Sequence, residues 1–173
     1  MLKRPELLSP AGNLTKLKIA LEYGADAVYG SVASFSLRTR SAREFNLETF
    51  KEAIDYTHEK GKKFYATINA FPFNSQIEPL KRHLQTISAM KPDAFIIATP
   101  GVMSLAQAIA PDIEIHLSTQ ANVMNVLDAK IYHDMGAKRI VVAREMNLKD
   151  VIKIKEEIPT LDIEIFVHGS MCF

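Results

Sequence analysis

The chain has 173 residues, of which 47% are hydrophobic and 24% are charged, a balance typical of a folded domain with its own core. This composition excludes a disordered chain, and no apolar stretch reaches the roughly 20 residues that cross a bilayer. The formal net charge of +1 gives no overall signature of nucleic-acid binding, so any RNA contact would rest on a local patch. The start, MLKRPELLSP, lacks the apolar core of a signal peptide, and we expect a cytoplasmic protein.

Short β-rich runs alternate with segments of helical period along the chain. Strands are predicted at residues 5–9, 26–30, 63–70, 93–99, 112–119, 138–145 and 161–168. Helices are predicted at residues 13–24, 46–61, 76–90, 102–110, 125–136 and 147–159. Asparagines occupy three predicted N-caps: Asn13, Asn46 and Asn147. Glycines stand just past three predicted helix ends: Gly24, Gly61 and Gly136.

This alternation predicts parallel strands joined by right-handed crossovers, as in a doubly wound sheet or a (β/α)8 barrel. The motif G-x-G-x-x-G, which marks many doubly wound sheets, is absent after the first strand. We therefore predict an α/β fold of the (β/α)8 TIM type, incomplete here, with six βα units plus a seventh strand. A closed barrel has eight strands and typically about 250 residues. Residues 1–173 are interpreted as the N-terminal part of that barrel domain, with its remainder and any C-terminal domain missing.

Alternation within the strands predicts an unusually polar barrel interior. Strand five turns Glu114, His116 and Ser118 inward, and strand seven turns Glu164 and His168 inward. Since an unpaired buried carboxylate costs several kcal/mol, we interpret the two glutamates as structural groups with partners deep inside the barrel. The two histidines lie nearer the C-terminal strand ends, where barrel active sites form. For His116 and His168, catalytic and structural roles are both open.

Arginines gather at the end of the barrel where active sites form. The segment SFSLRTRSAREFN, after strand two, contains Arg38, Arg40 and Arg43, and Arg144 closes strand six. Guanidinium groups pair with carboxylate and phosphate oxygens. The four arginines are therefore candidates to bind a small anionic substrate or an RNA backbone. A solvated loop is the alternative.

Neutral donors and acceptors are predicted at the same end. Ser118 and Gln120 belong to the run HLSTQANVMN after strand five, and Asn69 ends strand three on its inward face. We predict that these three residues bind substrate. For Thr119 and Asn122, in the same run, helix capping is the alternative.

The only cysteine is Cys172, so an internal disulfide is excluded. It is a buried hydrophobe, a reactive thiol, or a ligand whose partners lie elsewhere. No G-x-S-x-G or H-E-x-x-H motif is present. Cys172 and His168 would form a nucleophile and its base if they met at the barrel mouth, but a four-residue spacing does not fix their distance.

Several segments resemble the collagenase-like peptidase U32 family: ELLSPAGN, YGADAVYG, FSLRTRSAREFN, HLSTQANVMN, GAKRIVVAREMNL and above all EIFVHGSMCF. The family signature runs E-x-F-x-x-G-[SA]-[LIVM]-C and continues downstream with G-x-C. Residues 164–172 fit its first half at every position. The resemblance covers nearly the whole chain.

The resemblance implies either of two activities, because some members were first called proteases or collagenases and others hydroxylate tRNA or 23S rRNA. In these hydroxylases the signature cysteine is one of four thiolates on a [4Fe–4S] cluster. Cys172 would then be the first ligand, with its partners beyond Phe173, because one thiolate cannot hold the cluster.

From this resemblance we expect RNA hydroxylation from the full-length protein, with RNA and a small anionic substrate as partners. A peptidase is the alternative, and so is an inactive fragment for the 173 residues alone. The open barrel edge gives a further expectation, an oligomer formed through that edge.

Overall fold

The computed structural model describes residues 4–32, 35 and 45–169. The strands are β1 (Leu8–Pro10), β2 (Ala27–Gly30), β3 (Lys63–Ile68), β4 (Ala94–Ile97), β5 (Glu114–Leu117), β6 (Arg139–Val141) and β7 (Asp162–Glu164). The helices are α1 (Leu14–Glu22), α2 (Leu47–Glu59), α3 (Ile77–Ser88), α4 (Pro100–Ile109), α5 (Val126–Asp134) and α6 (Leu148–Glu157). Each helix follows the strand of the same number.

The seven strands form one parallel sheet in chain order, with β1 and β7 at its edges in the described part of the chain. A flat sheet would hold β1 and β6 roughly 24 Å apart, at about 4.8 Å per strand step. Arg139 of β6 nevertheless lies 2.7 Å from Glu6, which precedes β1. The sheet must therefore curl on itself, and the predicted incomplete (β/α)8 barrel is confirmed.

Alternating residues of each strand pack on opposite faces, as the sequence predicts. Phe64 of β3 and Ile115 of β5 belong to the main core between strands and helices. Tyr65 lies on the other face, in a small interior cluster with Ala27, Ala94 and Ile96. The lumen is therefore lined by the strand positions that the two-residue period assigns to it.

Local capping chemistry sets the helix ends. The predicted caps are confirmed, since Asn13, Asn46 and Asn147 each accept a hydrogen bond from a backbone N–H in the first turn. The three predicted terminal glycines all have positive φ, which glycine adopts without strain. None of the helices in residues 4–32 and 45–169 has the length and hydrophobicity to cross a membrane.

Several element boundaries differ from the prediction. Most strands are shorter than predicted, and β6 and β7 each end four residues before the predicted end. The first strand begins at Leu8, not at residue 5, because the preceding Leu7 N–H donates to the Asp26 carboxylate, which also pairs with Arg4. Helix α4 begins at Pro100, two residues early. Thr99 caps that helix through the Val102 N–H at 3.4 Å, and proline suits the first helical position.

Candidate active site at the barrel mouth

Three predicted substrate-binding residues meet at the C-terminal ends of β3 and β5. Asn69 Nδ2 donates a hydrogen bond to Gln120 Oε1 at 2.5 Å. Ser118 Oγ donates to the same oxygen at 3.1 Å. We call Asn69, Ser118 and Gln120 the amide cluster, and its position is the one at which barrel active sites form.

The turn that carries Gln120 is anchored on both sides. Ser118 is buried, and its backbone N–H bonds to the Ile97 carbonyl of β4 at 2.7 Å. The Thr119 hydroxyl donates to the Val142 carbonyl, just after β6, at 3.2 Å. A 3₁₀ turn spans residues 119–121 and ends at Asn122, whose φ of 54° is left-handed. The amide cluster is therefore held in place by the two strands that flank β5.

Arg144 stands at the same end of the barrel, after β6. Its guanidinium carbon lies 4.3 Å from the ring centroid of Phe166, which follows β7. Such stacking holds an arginine while its N–H groups stay available to an anion. No acidic side chain in the described ranges forms an ion pair with Arg144. Its role in binding anions stays a prediction.

Four predicted site residues lie outside the described residues. They are the three loop arginines and the cysteine: Arg38, Arg40, Arg43 and Cys172. Their assignments stay predictions from the sequence.

His116 lies in the interior of the barrel. Only 2% of its surface is exposed, and its ring centroid lies 4.6 Å from that of Tyr65. Burial lowers the pKa of His116 to about 3, with the charges of Arg139 and Lys63 acting in the same direction. The ring is therefore neutral near pH 7. Its Nε2 lies 3.5 Å from Glu114, while its buried Nδ1 has no hydrogen-bond partner among the residues that the structure describes. The catalytic assignment of His116 stays a prediction.

His168 is solvent-exposed after β7, beside Gly169 with its φ of 119°. An exposed imidazole at the strand ends is accessible to a substrate. Nothing in its described surroundings assigns it a catalytic partner, and its role also stays a prediction.

A polar network that we did not predict from the sequence fills the lower lumen. Arg139 Nη1 donates to Glu6 Oε1 at 2.7 Å, and the Tyr65 hydroxyl donates to the same oxygen at 2.8 Å. Glu164 lies 3.5 Å from Arg139. Alternation in the run KRIVVARE places Arg139 inward, since Ile140 packs outward, so this one signal was present in the sequence.

The two inward glutamates differ in their surroundings. Glu164 faces Arg139, as expected of a structural carboxylate, and its burial raises its pKa while Arg139 acts to lower it. Glu114 was expected deep in the barrel, and this is wrong. Its side chain is 58% exposed, because β5 begins at this residue and the lumen opens below it.

The described residues do not form a metal or cluster site by themselves. No three His, Cys, Asp or Glu side chains converge within residues 4–32 and 45–169. With one cysteine in the sequence, 173 residues cannot supply four thiolates. We therefore assign no chemical step to a cluster.

A separate apolar cavity of about 520 Å³ opens outside the lumen, between α3 and α4. The exposed Phe71 lies at its edge, in the segment between β3 and α3. Sequence periodicity did not indicate it, because irregular segments form part of its wall. It contains none of the predicted site residues.

Fold and site together define a TIM-type barrel protein whose candidate site lies at the C-terminal ends of its strands. The sequence profile of Peptidase family U32 matches residues 12–173, and the chain belongs to this family. The resemblance inferred from the sequence motifs is thereby confirmed.

Curated relatives carry two kinds of name. The chain is 66% identical to the tRNA hydroxylation protein P of Helicobacter pylori, over 97% of this chain and 40% of the relative. It is 34% identical to a 23S rRNA 5-hydroxycytidine synthase of Escherichia coli K12, over 98% of this chain and 25% of the relative. An uncharacterized protease of Methanocaldococcus jannaschii is 36% identical, over 99% of this chain and 42% of the relative. The chain thus spans less than half the length of these relatives.

Solved structures support the fold. A U32 peptidase structure aligns with a TM-score of 0.74 at 17% identity, covering 95% of this chain and 70% of that one. A phosphonopyruvate hydrolase aligns with a TM-score of 0.62 at 16% identity, covering 94% of this chain and 67% of that one. At such identities the likeness shows the barrel fold alone.

Proposed function

We propose that the full-length protein is an enzyme that hydroxylates RNA. The observation that carries this proposal is the 66% identity, over 97% of the chain, with a protein named for tRNA hydroxylation. A second RNA-hydroxylating relative, named for hydroxycytidine synthesis in 23S rRNA, supports the same class of activity.

The barrel mouth contains groups suited to an RNA substrate. Amide and hydroxyl groups such as those of Gln120 and Ser118 pair with the edges of unstacked bases, and aromatic rings and guanidinium planes stack on them. Arginine also contacts phosphate oxygens. We propose that the amide cluster faces the base, while Arg144 and the loop arginines Arg38, Arg40 and Arg43 bind phosphate or a small anionic substrate.

The proposal extends to the remaining parts of the longer protein. There, Cys172 supplies one thiolate of a [4Fe–4S] cluster, and the other three come from outside residues 1–173. In this proposal the seventh helix and an eighth βα unit from the longer protein complete the barrel, and residues 1–173 alone are inactive. We also propose a cytoplasmic location, since the proposed substrates are RNA. If the edges at β1 and β7 stay open, a second copy covers them.

A peptidase is the second candidate, and the relative named an uncharacterized protease favours it. In this case Cys172 would be the nucleophile and the exposed His168 its base. This chemistry needs the Cys172 thiolate within hydrogen-bond reach of the imidazole and needs no iron.

The variant Cys172→Ser in the full-length protein, purified without oxygen, separates the two candidates. For the hydroxylase we expect bound iron and sulfide to be lost together with the hydroxylated nucleotide in RNA. For the peptidase, peptide cleavage would be lost and there would be no iron to lose. Full iron content with unchanged RNA hydroxylation would contradict the role of Cys172 as a ligand.

A further inference from the structure

The Gln120 carboxamide is held in one orientation. Its Oε1 accepts two hydrogen bonds, from Asn69 Nδ2 and from Ser118 Oγ. The Gln120 backbone N–H lies 3.4 Å from Ser118 Oγ, which leaves the Ser118 proton free to donate to Oε1. Because both bonds go to the oxygen, the amide nitrogen is turned away from the cluster.

The Gln120 Nε2 group is an unused donor. It forms no hydrogen bond with any residue in the described ranges. In the described ranges, the buried side-chain atoms without a hydrogen-bond partner are Thr67 Oγ1, His116 Nδ1 and Glu164 Oε2. Gln120 Nε2 is not one of them, so this nitrogen is not buried. Gln120 therefore has an accessible N–H donor at the barrel mouth, while its acceptor oxygen is already used.

This donor is preorganised. The Thr119–Val142 bond and the Ser118–Ile97 bond fix the turn that carries Gln120 to β6 and β4. A donor fixed by its neighbours loses little side-chain entropy when a ligand binds. Its ligand must supply an acceptor.

We propose that Gln120 is a specificity-determining residue whose Nε2 donates to a carbonyl oxygen at ring position 4 of the target base. This inference rests on the proposed function and deepens it. Uracil presents a carbonyl at ring position 4, where cytosine presents an amino donor. A donor facing a donor leaves two unpaired polar groups, so the site favours a keto base over an amino base.

The test uses the full-length protein and two fluorescent probes of equal length, oligouridylate and oligocytidylate. We expect the wild type to bind oligouridylate about 3- to 10-fold more tightly, the range of one hydrogen bond. Gln120→Glu keeps an oxygen for Asn69 and Ser118 and replaces the outward donor by an acceptor. It should abolish or invert the preference. Asn122→Asp, two residues along the same turn, adds the same charge. It should lower the affinity for both probes equally and so keep the ratio of the two affinities.

Gln120→Met, which has neither donor nor acceptor, should bring the ratio close to one and serves if the glutamate variant does not fold. An unchanged ratio in the Gln120 variants, beside intact RNA hydroxylation, would overturn this inference and leave the proposed function standing. The protein could also hydroxylate no RNA while the ratio of the two probe affinities still depends on Gln120. That result would support the role of Gln120 in base recognition and overturn the proposed hydroxylation. Absence of binding to either probe would overturn this inference, whereas the proposed function is decided separately by the hydroxylated nucleoside in RNA.

Discussion

Arg139, at the start of β6, and Glu6, ahead of β1, meet at 2.7 Å across the barrel interior. The Tyr65 hydroxyl donates to the same carboxylate, and the Arg139 guanidinium lies 5.4 Å from the Tyr65 ring centroid. Glu164 approaches the arginine from β7. One cation thus links both ends of the curled sheet, and the closure of this part of the barrel depends on it.

Removing the positive charge of Arg139 should strongly destabilise the protein. In Arg139→Met, Glu6 and the mostly buried Glu164 would lose their counter-charge. Breaking a buried pair in this way costs about 3–5 kcal/mol. The measurement is the free energy of unfolding of the full-length protein in urea. Lys51→Met, which breaks an exposed pair with Asp55 on α2, is the control and should change this free energy by at most about 0.5 kcal/mol. Equal effects of the two substitutions would contradict a closing role for Arg139.

The pH dependence of stability should reflect His116. Its folded pKa of about 3 lies below the value of about 6.5 in an unfolded chain, so the unfolded chain binds more protons between these values. The free energy of unfolding should therefore fall as the pH falls from about 6.5 toward 3. In His116→Asn this slope should be shallower, whatever packing energy the substitution costs at neutral pH. Urea titrations at several pH values measure both, and an identical slope in the two proteins would rule out the linkage.

Replacing Arg144 by alanine should weaken RNA binding without unfolding the protein. If Arg144 contacts a phosphate, the slope of log affinity against log salt concentration should fall by about one. Lys51→Ala, on the outer helix α2, should leave both quantities unchanged. The same expectation holds for the loop arginines Arg38, Arg40 and Arg43. If all four variants bound RNA with wild-type affinity, the arginines would be solvated surface groups without a role in binding.

The capping box of α2 should contribute measurably to stability. Asn46 Oδ1 accepts from the Thr49 backbone N–H at 2.8 Å, and the Asn46 N–H donates to the Thr49 hydroxyl at 3.1 Å. Asn46→Ala should lower the free energy of unfolding by about 1 kcal/mol, whereas Asn46→Ser, which still caps, should stay near the wild type. Urea denaturation gives both values. An alanine variant with the free energy of unfolding of the wild type would show that the cap contributes nothing.

The sequence predicted what depends on local period and local chemistry. Strand–helix alternation and asparagine caps such as Asn13 depend only on residues that are close in sequence. The fold class and most helix starts could therefore be predicted. Strand alternation also turned Asn69 and Ser118 toward the lumen. Because the carboxyl ends of parallel strands share one edge, we expected both residues to lie at the same end of the barrel as Gln120.

What the sequence did not provide depends on the curvature and depth of the barrel. The contact between Arg139 and Glu6 joins residues that are 133 positions apart, and it forms only because the sheet curls. Glu114 alternates correctly with Ile115 and yet is exposed, since periodicity gives the face of a strand and not its depth. The Asn69–Gln120 bond spans two strands that are not neighbours, and their separation is set by strand twist.

We propose that the full-length protein hydroxylates RNA. The most direct test is mass spectrometry of nucleosides from the tRNA and rRNA of a strain that lacks the gene, beside the parent strain and the deletion strain with the gene restored. We predict that one nucleoside, heavier than its parent by a single oxygen atom, disappears on deletion and returns with the restored gene. Identical nucleoside profiles in all three strains would contradict the claim.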